Sequence, residues 1–314
     1  MDLDFEQTIL DLEQKINELK SAANHDDPKI VEQLADLDKQ CQAEKKKVYS
    51  SLTPWQIVQV ARHPNRPQIQ DFIAGVFTDF IELHGDRCFG DDRALIGGFA
   101  RLDKFKVMVI GHQKGKTVDE NVACNFGMAR PEGYRKALRL MRLAEKYRLP
   151  VISLIDTSGA FPGVDAEERG QAEAIARNLT EMSVLTTPIV VLVTGEGGSG
   201  GALGIGVGDR LLMLSNAVYS VISPEGCASI LWRDGSKGPE AADALKLTAD
   251  ALLRLGIVDE VIPEPPGGAH RDYDGTMKVV KKSLLRHVDR LKHRSVKKLL
   301  SRRFEKYAKI GGGR

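Results

Sequence analysis

Ile189-Val190-Val191-Leu192-Val193-Thr194-Gly195-Glu196-Gly197-Gly198-Ser199-Gly200-Gly201-Ala202-Leu203-Gly204-Ile205-Gly206-Val207-Gly208 is the stretch around which the chain is organised. Its first five residues are apolar, mostly β-branched, and follow Pro188, which predicts a buried strand. The residues after Ser199 are small and apolar and suit a short buried helix. The order is therefore strand, glycine loop, helix start. The first N–H groups of a helix have no partner within the helix, and the helix dipole adds positive potential there. Glycine lets a ligand atom approach those groups. Chemically, this is a cradle for an anion or an oxyanion.

Three motif readings compete for the loop. Gly195-Glu196-Gly197-Gly198-Ser199-Gly200 fits the dinucleotide pattern G-x-G-x-x-G. The acid expected at the end of the next strand is missing, because Leu211-Leu212-Met213-Leu214 runs into Ser215-Asn216. Gly197-Gly198-Ser199-Gly200-Gly201 also fits G-x-S-x-G, a nucleophile elbow that a later acid and His270 would complete. The third reading is an oxyanion hole without a side-chain nucleophile, made by the backbone of Gly200 and Gly201. The alternative to all three is that the glycines only let a helix sit close on a sheet. Packing alone is not expected to need so many of them.

The 314 residues are 42% hydrophobic and 28% charged with a net charge of +2, which fits one large core plus an appendage. No apolar run approaches membrane-spanning length, and the N-terminus has no basic-then-apolar leader, so a cytoplasmic protein is expected. Cys41, Cys88, Cys124 and Cys227 lie far apart, which argues against a zinc site or a disulfide framework and for reduced, mostly buried thiols. Acids dominate up to Glu44, and Lys and Arg dominate from Lys278 onward.

Phe5, Ile9, Leu12, Ile16 and Leu19 form one helical stripe, and Ile30, Leu34, Leu37 and Cys41 form another. Asp27 and Pro28 start the second as N-cap and N1. The result is an antiparallel hairpin, which either packs on its own domain or serves as an arm for a partner. Thr53-Pro54 opens a short helix. Ile69, Phe72, Ile73, Val76, Phe77, Phe80 and Ile81 predict a longer one, ending at Leu83-His84-Gly85-Asp86-Arg87. His84 reads as a base or, more simply, as a capping or core residue. Two strands follow over 94–102 and 106–111. Pro131 opens a helix through Tyr147. Its run Arg135, Lys136, Arg139 and Arg142 reads as a solvated face, with phosphate binding as the alternative. Val151 to Ile155 is a buried strand that ends in Asp156-Thr157-Ser158-Gly159-Ala160-Phe161-Pro162-Gly163, before one helix over about 166–185. Further strands are expected at 210–214 and 218–222, a helix from Pro224 to Trp232, and one basic helix at the C-terminal end. Strands alternating with helices predict an α/β domain.

The chain resembles the alpha subunits of the bacterial carboxyltransferase of acetyl-coenzyme A carboxylase. The likeness rests on the 83–87 stretch, Gly111-His112-Gln113-Lys114-Gly115, Asn125-Phe126-Gly127-Met128, Pro131-Glu132-Gly133-Tyr134-Arg135-Lys136-Ala137 and Gly170-Gln171-Ala172-Glu173-Ala174-Ile175-Ala176. The glycine stretch, Ile222-Ser223-Pro224-Glu225-Gly226-Cys227-Ala228 and Gly267-Gly268-Ala269-His270-Arg271 complete it. The resemblance implies a crotonase-like spiral of ββα units over 51–270, beside a helical hairpin (1–50) and a basic C-terminal segment (271–314). It also implies a heterotetramer of two alpha and two beta subunits. The zinc finger belongs to the beta subunit, and acetyl-coenzyme A lies mainly against it. Biotin arrives on a separate carrier protein, with biotin carboxylase in the full complex. Ser158 stands where the family often has Pro, Cys124 where a basic residue is common, and Ala129-Arg130 for a more Pro-rich pair. The first departure would alter loop geometry, and the others would move a positive charge.

The implied reaction moves a carboxyl group from carboxybiotin to acetyl-coenzyme A, giving malonyl-coenzyme A for fatty acid synthesis. It needs charge stabilised on the ureido oxygen and a base for the acetyl methyl group, which the freed biotin nitrogen can supply. The protein then mainly supplies positioned N–H donors. Gly200 and Gly201 are the expected donors, and Gly159, Ala160, Gly198 and Ser199 the expected walls. On this reading Ser199→Ala keeps activity, and Gly201→Val blocks the ligand without disturbing the core. A serine hydrolase using Ser199 is the alternative.

Overall fold

The computed structural model describes residues 3–22 and 28–311. The expected cap at Asp27 lies outside the described residues. Helices α1 (Gln7–Ala22) and α2 (Pro28–Tyr49) pair as the expected hairpin, with Ile9, Ile16 and Cys41 buried between them. Helix α3 (Pro54–Ala61) starts at a capping box in which the Thr53 hydroxyl accepts from the Gln56 amide. Next come α4 (Ile69–Val76), β1 (Thr78–Glu82), β2 (Leu95–Leu102), β3 (Phe105–His112), α5 (Val118–Ala123), α6 (Pro131–Lys146) and β4 (Val151–Thr157). The chain continues through α7 (Val164–Glu168), α8 (Gln171–Val184), β5 (Ile189–Gly198), α9 (Ser199–Leu203), β6 (Arg210–Leu214) and β7 (Val218–Ser220). Helices α10 (Pro224–Trp232), α11 (Gly238–Leu245) and α12 (Ala249–Arg254) precede β8 (Glu260–Ile262), α13 (Tyr273–Lys292) and α14 (Val296–Lys309).

The strands form one sheet in the order β1-β2-β3-β4-β5-β6-β8, with β7 paired to the far end of β5. The β1–β2 and β2–β3 pairs are antiparallel, and the rest are parallel. Strands β4 and β5 are buried along their whole length, which explains their unbroken apolar runs. They pair Val151 with Ile189 and Ile155 with Val193, so both glycine-containing loops leave the sheet at the same edge.

Three expected helices take another form. The helix expected over 69–81 stops at Val76, and Thr78–Glu82 instead forms an edge strand on β2. Ile81 is largely exposed there, so its apolar side chain marks no core-facing stripe. The helix expected over 166–185 is split at Gly170, whose φ of +84° lies in the left-handed region that glycine tolerates. The basic C-terminal helix is two helices, separated where Ser295 caps α14. Both join the main core through Val280, Leu284, Val288, Leu291 and Leu299. Of the cysteines, Cys41 and Cys124 are buried, whereas Cys88 is exposed and Cys227 half-buried.

Candidate active site

Where β4 and β5 end, their loops touch backbone to backbone. A side chain on Gly198 would place Cβ 2.1 Å from the Ser158 carbonyl oxygen, and one on Gly201 would place it 2.3 Å from the Gly159 carbonyl carbon. At Gly195 a Cβ would meet Asp156 Oδ1 at 2.4 Å, and at Gly197 the Tyr219 ring at 2.5 Å. Close packing therefore accounts for four glycines of this loop. Gly200 and Gly159 differ. A Cβ on Gly200 would only make ordinary contact with Ile175, at 3.7 Å, and one on Gly159 would meet nothing within 4 Å. The open side of the loop pair lies at Gly159.

Helix α9 begins at Ser199, one residue after β5 ends. Its first amides have no carbonyl a turn earlier to receive them, and the amides of Gly200 and Gly201 donate to no acceptor among the described residues. The helix is held from behind. Asn178 Nδ2 donates to the carbonyls of Tyr134 and Gly204, both at 2.9 Å, and the Tyr134 hydroxyl donates to the Gly201 carbonyl at 3.4 Å. Burial pushes the Tyr134 hydroxyl far above its ordinary pKa, so it remains a donor at neutral pH.

Behind the loop lies polar wiring that no local pattern announced. Lys114 Nζ pairs with Asp156 Oδ1 at 2.6 Å, and the same oxygen accepts from the Glu196 amide at 3.0 Å. Arg62 bridges Glu196 and Glu225, tying the glycine loop to α3 and α10. His112, at the end of β3, is fully buried and pushed down to about 4, mainly by burial, so it is neutral at neutral pH. The quoted motifs contained Lys114, Asp156 and Glu225. Their pairing spans 42 residues for Lys114 and Asp156, and 163 for Arg62 and Glu225, and no local pattern encodes it.

The structure brings Gly159, Ala160, Gly198, Ser199, Gly200 and Gly201 into one contact zone. It corrects the expectation for Gly201→Val. Gly201 is buried and its Cα faces the Gly159–Ala160 backbone, so a side chain there wedges the two loops apart rather than meeting a ligand.

The hydrolase constellation does not form. Ser199 has the left-handed φ of +51°, the kind of strained turn an elbow uses. Yet no side chain among the described residues hydrogen-bonds its hydroxyl. His270 instead stacks on His63 with ring centroids 4.1 Å apart. The α6 cations are not the expected solvated run either. Lys136 is buried and donates to Asp91 and to the Asp92 carbonyl, and Arg135 pairs with Asp86. His84 is an exposed loop residue whose ring meets Asp91. At the departures, Ser158 lends its carbonyl to the Gly198 contact. Arg130 is turned away onto Phe161 and pairs with Asp165 at 2.5 Å.

A sheet whose parallel strands end in two touching glycine loops, with a short helix starting at free amides, is the frame of the crotonase-like carboxyltransferases. Solved structures bear out the fold. Transcarboxylase 12S aligns with a TM-score of 0.58 at 21% identity, covering 71% of this chain and 42% of that one. A Pseudomonas malonate decarboxylase hetero-tetramer solved with coenzyme A aligns at 0.56 and 17%, covering 70% and 89%. The sequence narrows the class further. Residues 2–311 match the family described as acetyl co-enzyme A carboxylase carboxyltransferase-like. The acetyl-coenzyme A carboxylase carboxyl transferase alpha subunit of Geobacter metallireducens is 55% identical over 308 residues, 98% of this chain and 96% of that protein. The Alcanivorax borkumensis subunit is 57% identical over 309 residues, with the same coverage. The chain belongs to the family of acetyl-coenzyme A carboxylase carboxyltransferase alpha subunits, and this membership overturns the serine hydrolase alternative.

Proposed function

We propose that this chain supplies the oxyanion-binding half of a carboxyltransferase that moves a carboxyl group from carboxybiotin to acetyl-coenzyme A. The observation that carries it is the pair of unsatisfied amides at Gly200 and Gly201, set beside a loop whose one open face is at Gly159. Held by Tyr134 and Asn178, α9 offers its amides in place, so charge developing on a ureido oxygen meets donors that need no reorganisation. Carboxybiotin contributes the transferable carboxyl group and, once that has left, a basic nitrogen. The chain's own share is to orient the ureido group, hold the negative charge on its oxygen and leave room for it. Biotin delivered by a separate carrier protein, a zinc-bearing beta subunit in an α2β2 assembly, coupling to biotin carboxylase, and a cytoplasmic location are parts of the same proposal. They rest on the family. No helix among the described residues is long and apolar enough to cross a membrane.

The test is steady-state carboxyl transfer by the complex reconstituted with its beta subunit. At Gly159 an added Cβ meets no protein atom within 4 Å, so Gly159→Val should fold, and the mass of the complex checks that it assembles. Turnover should fall by roughly 10²-fold, because reacting groups displaced by about 1 Å lose that much. Ser199→Ala should retain most of its turnover. Wild-type rates for Gly159→Val would overturn the reading. The chain without its partner should show no turnover.

A further inference from the structure

A second region combines charge and shape in a way the cradle chemistry does not use. Between α6, α8 and the 85–90 loop lies a groove of about 430 Å³. Five arginines line it: Arg87, Arg135, Arg139, Arg142 and Arg177. Only two carboxylates do, Asp86 and Glu173. Asp86 is already committed. Its Oδ1 accepts from the amides of Cys88, Phe89 and Gly90, and its Oδ2 from Arg135 Nε at 2.8 Å. Arg142 and Arg177 share Glu181.

Among the described residues, no carboxylate forms an ion pair with Arg87 or Arg139. Arg87 donates to the His84 carbonyl at 3.0 Å, and Arg139 donates to the same oxygen at 3.1 Å and to the Gly85 carbonyl at 2.9 Å. Two guanidiniums thus meet at one neutral oxygen. Arg139 is held below its ordinary pKa, first by burial and then by Arg87, which the more distant Asp91 and Asp86 only partly offset. The backbone is bent to hold this arrangement. Gly85 and Arg87 both have left-handed φ, +76° and +63°, and the loop is wound around the Asp86 carboxylate.

We propose that this groove binds a phosphate-bearing small anion, with Arg87 and Arg139 as its principal contacts. A guanidinium presents planar N–H donors that match phosphate oxygens, and both arginines retain donors not used by the loop carbonyls. An anion with several oxygens would bridge them and relieve their repulsion. Its source is either the phosphates of a coenzyme A thioester or a free phosphorylated metabolite. The proposal is independent of the cradle reading.

The experiment titrates the purified full chain with inorganic pyrophosphate at low ionic strength, by calorimetry. Saturable binding that weakens with added salt is expected. Arg139→Gln combined with Arg87→Gln should weaken it at least about 10-fold, and the exposed Lys297→Gln should leave it unchanged. Arg87→Gln alone guards against misfolding, because Arg87 is an exposed loop residue. Its binding should weaken while its thermal midpoint stays that of the wild type. The source is separated with the reconstituted complex. A higher KM for acetyl-coenzyme A but not for its 3′-dephospho form assigns the groove to the coenzyme. An unchanged KM, with pyrophosphate binding lost, assigns it to a free anion. No binding by the wild type, or binding that survives both substitutions, would overturn the proposal. So would variants that lose only their hold on the beta subunit, which would make the groove a protein contact.

Discussion

The two ends of the chain are both helical, carry opposite charge, and are both fastened by an arginine to carboxylates. At the N-terminal end, α1 and α2 bury Ile9, Ile16 and Cys41 in a small cluster of their own. Arg271 ties them down through Glu6 and Glu13, with Lys45 also on Glu13. At the C-terminal end, α13 and α14 contribute to the main core. Arg303 there is 1% exposed, donates twice to Asp209, and donates to the carbonyls of Met182, Leu185 and Thr187. The same ion pair does different work according to how much water reaches it. Arg271 is 16% and Glu13 28% exposed although Glu6 is buried, so this cluster is the more hydrated of the two and worth less, whereas a fully buried pair cannot lose a partner cheaply.

The largest effect expected from this contrast is at Arg303. Arg303→Met takes the guanidinium from three carbonyls and from the Asp209 carboxylate, which keeps the Ile189 amide, and should cost about 3–5 kcal/mol in urea unfolding. A loss below about 1 kcal/mol would erase the distinction between the two ends. Arg271→Gln comes next. Tyr49 still donates to Glu6, and Lys45 still reaches Glu13, so the loss should be about 1–2 kcal/mol.

Acid should probe both ends together. Burial alone would raise Glu13 and Asp259, but Lys45 and Arg271 outweigh it at Glu13, and Lys306 and Arg210 at Asp259, so both sit below their ordinary pKa. A carboxylate lowered by folding stabilises the protein above its unfolded pKa. That contribution fades as the pH falls through the folded value. Thermal midpoints should therefore drop as the buffer is taken below the ordinary carboxylate range, and less in Arg271→Gln than in wild type, because part of the Glu13 contribution is already gone. An identical acid dependence in the two proteins would show that Glu13 does not anchor the hairpin.

The smallest effect on the core should come from removing the hairpin altogether. With residues up to Val48 deleted, the main unfolding transition should fall by no more than about 4 °C, since the hairpin cluster is separate and what the core loses is the Arg271 tie. The mass of the complex with the beta subunit, measured by light scattering, should fall. An unchanged mass would leave the hairpin without a role in assembly.

Much of this was readable along the chain, and the misses have a common cause. Pro224 marked the start of α10, and the Val151 and Ile189 runs marked the two central strands, because a proline in a helix's first turn and full burial leave local signatures. Strand β1 was invisible. Phe77, Phe80 and Ile81 have helical spacing, yet the segment lies on an exposed sheet edge, and only its pairing to β2 makes it a strand. At the candidate site, the sequence marked two glycine-containing loops, and the structure brings those loops into contact. Which glycine faces open space could not be named in advance, since that depends on how the 157–160 backbone approaches from another strand. Lys136 misled for a similar reason. On a helical wheel it is one of four cations, and Asp91 and the Asp92 carbonyl, from a loop 45 and 44 residues earlier, draw it inside.

The Arg303–Asp209 pair also bears on how the chain is made. The two residues are 94 apart, and Asp209 accepts the Arg303 guanidinium from a position next to the strands that carry the glycine loop. During synthesis the whole sheet has left the ribosome well before Arg303 does. For that interval Asp209 and the carbonyls of Met182, Leu185 and Thr187 lack the guanidinium, and the apolar surface that α13 and α14 cover is bare. The nascent subunit thus stays open at this edge to chaperones, proteases and its neighbours until α14 arrives.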